Sequence, residues 1–136
     1  VNLHTLTETI WQHLKAETSY TAMDGQVIDA VPDVAYVVFY PGAGWARGRR
    51  AADLASALRT PFQLTCAGWS REQAANTVEI VRSRFTGWRP FPDLPSAGRC
   101  VEDDTGMTLQ RDDSDSGPPR FWLPLRFHIA TVRSPQ

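Results

Sequence analysis

The stretch from Phe121 to Ile129 constrains the fold more than any other part of the chain. Its apolar residues Phe121, Leu123, Leu125, Phe127 and Ile129 alternate with Trp122, Pro124, Arg126 and His128. Successive side chains of an extended strand point to opposite faces, so this alternation gives a long strand with one apolar face. Such a strand needs neighbours to pair its backbone and a second layer to cover that face. Pro124 has no N–H to donate, which argues for a sheet edge or a bulge at that position.

Two helical patterns supply the covering layer. Leu3, Leu6, Ile10 and Leu14 recur at spacings of three and four and draw a stripe down a helix from Asn2 to about Glu17. Thr5 and Glu8 match a capping box, although the helix can equally start at Asn2. The second pattern is better bounded. Ser70 and Gln73 match a capping box, Ala74, Val78, Val81 and Phe85 form the stripe, and Gly87 supplies a left-handed C-terminal cap.

The remaining apolar segments read as strands. Met23-Asp24-Gly25 reads as a turn, Val27, Ile28 and Val31 begin an extended stretch, and Pro32 and Asp33 separate it from Val34 to Tyr40 as a hairpin. Val34 to Tyr40 is apolar on both faces and belongs inside a sheet. Phe62, Leu64 and Cys66 alternate with Gln63 and Thr65 as a half-buried strand. Pro90, Pro92 and Pro95 form a stiff connector, and Cys100–Glu102 and Met107–Gln110 flank Asp103-Asp104-Thr105-Gly106 as a second hairpin. Together these elements predict an α+β fold, a mostly antiparallel sheet of about four to six strands with two helices packed on one face. At 136 residues, a single domain spanning 1–136 is expected.

Charge and composition narrow the function. Net charge is -1, which gives the whole protein no electrostatic reason to hold nucleic acid or an anionic membrane. No apolar run reaches the ~18 residues a bilayer span requires, and the N-terminus lacks the layout of a signal peptide. Cys66 and Cys100 are too few and too far apart for a disulfide framework or zinc site, and are expected as reduced, buried thiols. The charges are nonetheless segregated. Arg47, Arg49 and Arg50 lie with Trp45 in a Gly-containing loop excursion around 41–61, whereas Asp112, Asp113 and Asp115 lie in an exposed acidic loop around 112–119. Patches of opposite sign suit contacts between neighbouring copies. Tryptophan is enriched at interfaces, and Trp45 and Trp122 are the expected intersubunit ones, the first in the excursion and the second on the non-core phase of its strand.

Residues arranged for chemistry are sparse. His4 and His13 stand about two and a half turns apart on the first helix and cannot share a metal. His128 falls on the non-core phase of the last strand. Glu102, Asp103 and Asp104 lack the spacing of an EF-hand loop, and Gly42-Ala43-Gly44 lacks the rest of a phosphate-binding or dinucleotide-binding motif. No catalytic, metal or cofactor-binding residues are therefore predicted, and the chain is read as a non-enzyme.

The run Phe62-Gln63-Leu64-Thr65-Cys66-Ala67-Gly68-Trp69-Ser70-Arg71-Glu72-Gln73-Ala74, continuing to Val81-Arg82 and Gly87-Trp88-Arg89-Pro90, resembles the tail-terminator proteins of long-tailed, siphovirus-type actinobacterial phages. The neighbouring elements follow the same pattern: a helix over Leu3 to Lys15, a strand over Val34 to Tyr40, arginines at 47–50, an acidic hairpin over Cys100 to Gln110 and a last strand over Pro118 to Val132. The resemblance implies a hexameric ring in the virion that caps the tail tube and joins it to the head side of the neck. It implies as partners further copies of the chain, the tail tube protein and a head-completion or stopper protein. DNA would cross the lumen without sequence-specific binding, and no membrane is involved. In that setting Trp45, Arg47, Arg49, Arg50, Asp112, Asp113, Asp115 and Trp122 are the candidate contacts to neighbouring subunits or the tube. Another neck protein of similar size is the alternative, and a small-ligand-binding or enzymatic α+β domain is a third reading.

Overall fold

The computed structural model describes residues 2–27, 34–42, 45–46, 57–95, 97–112 and 119–132. Helix α1 spans Leu3–Lys15 and helix α2 Arg71–Phe85. The strands are β1 (Thr21–Asp24), β2 (Tyr36–Pro41), β3 (Trp45–Ala46), β4 (Ala57–Gly68), β5 (Ala97–Asp103), β6 (Gln110–Asp112) and β7 (Arg120–Val132). All of them join one sheet of order β1-β2-β4-β7-β5, with β3 paired to β4 and β6 to β7. The sheet is antiparallel except where β1 meets β2, so the expected α+β class and its helix-covered, mostly antiparallel sheet are observed.

The centre is an unbroken ladder of β4 and β7, running from Ala57 opposite Val132 to Gly68 opposite Phe121. Each outer neighbour of this ladder comes in two collinear pieces. On one side β2 pairs with β4 as far as Pro41 opposite Phe62, and β3 resumes at Trp45 opposite Arg59. On the other, β5 pairs with β7 as far as Asp103 opposite Arg126, and β6 resumes at Gln110 opposite Trp122. Both gaps face a proline. A side chain at Gly42 would collide with the Pro61 carbonyl oxygen, so Pro61 turns that oxygen, and with it the missing N–H, toward the β2–β3 gap. The alternation carried across the register then turns Pro124 toward the β5–β6 gap. Proline is tolerated in these two central strands because its neighbour steps away where a donor would be needed.

Several sequence expectations are corrected here. Met23 and Asp24 are strand residues, and β1 runs parallel to β2, with Thr21 opposite Tyr36. β1 and β4 occupy the two sides of Tyr36–Phe39, so this strand's neighbour beyond β4 is Thr21–Asp24 rather than the expected Val27–Val31. Val27 lies outside any strand, and Ile28 and Val31 lie outside the described residues. The excursion around 41–61 is shorter than expected, since β3 and the first residues of β4 belong to the sheet. The Asp103–Gly106 segment is no hairpin turn: β5 and β6 lie end to end along β7, and Gly106 (φ 66) helps turn the chain between them. Pro124 lies in an interior strand, opposite an interruption of its neighbour.

Both helices cap as their sequences require. The Asn2 side chain accepts from Thr5 N at 2.8 Å, which places the start of α1 at Leu3. Ser70 Oγ accepts from Gln73 N at 3.1 Å, while Gln73 Oε1 accepts from Trp69 N at 2.7 Å. Gly87 (φ 80) follows the C-terminal turn of α2. Leu6, Ile10 and Leu14 of α1 and Val78, Val81 and Phe85 of α2 pack on Val37, Phe39, Phe62, Leu64, Cys66, Leu125, Phe127 and Ile129. The Phe62 ring sits at the middle of this layer, 5.5 Å from Phe127, 5.9 Å from Phe85 and 6.2 Å from Phe39. His13 fixes the seam between the helices. It stacks on Trp88 at 3.9 Å, its Nε2–H donates to the Arg84 carbonyl at 2.9 Å, and Arg84 Nη2 donates back to the His13 carbonyl at 2.8 Å. At the β5 edge, the N–H and carbonyl of Cys100 are taken up by Trp88 O (2.7 Å) and Gly87 N (2.8 Å).

Candidate functional site

The strands present a second face, opposite the helices, that neither helix covers. Odd-numbered residues of β4 and even-numbered residues of β2 and β7 point there, because the register puts Tyr36 opposite Ala67, Gln63 opposite Arg126 and Pro61 opposite His128. At one end of this face lies a small apolar cluster of Met23, Tyr36, Val38 and Ala67, flanked by the partly buried Trp69 and Trp122. Arg120 spans it. Its guanidinium sits 5.8 Å from the Trp69 ring, its Nη1 donates to the Tyr36 hydroxyl at 3.4 Å, and its Nη2 lies 4.0 Å from Asp112 Oδ2. Trp69 Nε1 donates to the Val34 carbonyl at 3.1 Å, which fixes that ring.

At the other end, three strands contribute one polar side chain each. Asp103 Oδ1, from β5, accepts from Arg59 Nη2 of β4 at 3.0 Å and lies 2.8 Å from His128 Nδ1 of β7. An ionised carboxylate only accepts, so the His128–Asp103 bond requires the proton on Nδ1; the 3.0 Å approach of Arg59 Nη2 to the same nitrogen is a hydrogen bond only in the other tautomer. Arg126, between the two ends, is exposed.

Of the residues singled out in the sequence, the structure places three. Asp112 ends β6 beside Arg120, Trp122 leans on the apolar cluster of the helix-free face, and the Trp45 backbone pairs with Arg59. Arg47, Arg49, Arg50, Asp113 and Asp115 lie outside the described residues. The sequence reading missed Arg59, Asp103 and Arg120 as a set, although the phase of His128 in its strand already pointed to this face. Cys66 and Cys100 are free and buried; burial pushes the Cys100 thiol up to about 12 and the Cys66 thiol higher still, so neither is poised as a nucleophile. Among the described residues no group of three or more His, Cys, Asp or Glu is placed to hold a metal ion, and no helix is long and apolar enough to cross a membrane.

No family model matches the chain. No curated protein matches it either. Solved structures do: 22 chains are similar. One of them, whose name carries no functional description, aligns over 98% of this chain and 94% of its own with 13% identity and a TM-score of 0.51. At that identity the likeness concerns the fold alone.

Proposed function

We propose that the chain is a structural virion protein, a tail terminator whose copies close into a ring that caps the phage tail tube and joins it to the neck. Two things support this reading: the sequence resemblance and the polarity of the sheet. The connection carrying Arg47, Arg49 and Arg50 leaves the sheet at Ala46 and re-enters at Ala57, at one end of the β4·β7 ladder. The connection carrying Asp113 and Asp115 leaves at Asp112 and re-enters at Arg120, at the opposite end. A ladder of 12 paired residues separates the two ends by about 37 Å, at about 3.4 Å per residue. Connections of opposite formal charge, anchored at opposite ends of the sheet, favour head-to-tail association, whereas a two-fold dimer joined end to end would set like-charged connections against each other. Head-to-tail contacts that close generate a ring. This polarity is the observation that carries the proposal. The protein then works through the shape and charge of its exterior, with no reaction to catalyse.

Charge reversal tests the arrangement. The variant Arg49→Asp/Arg50→Asp makes both connections acidic, and Asp113→Lys/Asp115→Lys makes both basic. In the presence of assembled tail tubes, wild-type protein should form a six-fold annulus at tube ends by negative-stain imaging. Each variant alone should fail, and an equimolar mixture should recover the annulus by alternating. A mixture that stays unassembled, while wild type assembles, overturns the head-to-tail polarity. Wild-type protein that never occupies tube ends overturns the terminator reading itself.

A further inference from the structure

We draw no further inference here: the strongest candidate, the Arg59–Asp103–His128 cluster on the helix-free face of the sheet, has its charges matched within the chain, and nothing in the structure shows what covers that face.

Discussion

The two faces of the sheet are built from the same strands by opposite means. On the helix-covered face, Phe39, Phe62, Phe85 and Phe127 interlock with aliphatic side chains from α1 and α2, and the stabilisation comes from area removed from water and from close aromatic contact. Among the described residues, the helix-free face has no second layer. It is held by side chains that satisfy one another in place: Asp103 between Arg59 and His128, and Arg120 against Trp69, Tyr36 and Asp112. Partly exposed ion pairs contribute little free energy, so this face owes its order to the covered one. Contacts that cost little to rearrange suit a surface that meets other molecules.

Substitutions on matched strands put numbers on that contrast. Phe127→Ala removes a ring that is 0% exposed and should cost about 3–5 kcal/mol in urea unfolding. Trp122→Ala, on the same strand but the opposite face from Phe127, removes a side chain only partly buried on the second cluster. It should cost roughly half as much, about 2 kcal/mol. Asp103→Asn breaks the Arg59–Asp103 ion pair, whose side chains are 27% and 32% exposed, and should change stability by less than about 1 kcal/mol. A loss for Asp103→Asn as large as that for Phe127→Ala would erase the distinction between the faces.

The smallest expected effect is with pH, at the helical seam. Burial, and then the charge of Arg84 opposed in part by the hydrogen bond to its carbonyl, hold His13 below its ordinary value of 6.5. The unfolded chain therefore takes up this proton first, and stability declines as pH falls from 6.5 toward the folded value, with no contribution from this group well above 6.5. His13→Gln should flatten that part of the unfolding profile. An unchanged slope would remove His13 as its source.

The parts of the fold legible in the sequence are those where local chemistry and tertiary packing agree. Ser70, the α2 stripe and Gly87 mark a helix at its start, middle and end, and the alternation from Phe121 to Ile129 names the residues that face the core. Pairing was harder to read. Thr21–Asp24 is too short to show a period, and the turn residues Asp24-Gly25 and Pro32-Asp33 in the connection that follows do not reveal that it leads to a parallel partner. Pro61 looked like a stop because the sequence does not reveal that β2 has stepped away from it, so Arg59 seemed to belong to the excursion. The Arg59–Asp103–His128 cluster was invisible for the same reason: it depends on register among three strands distant in the chain.

The way Gly87 and Trp88 occupy the backbone of Cys100 bears on how such a protein avoids runaway polymerisation. A bare margin of a sheet is a template on which a foreign segment can zip, the first step toward fibrils. Here the margin is already occupied at Cys100 by the chain's own return from α2. Growth by strand addition is blocked at that point.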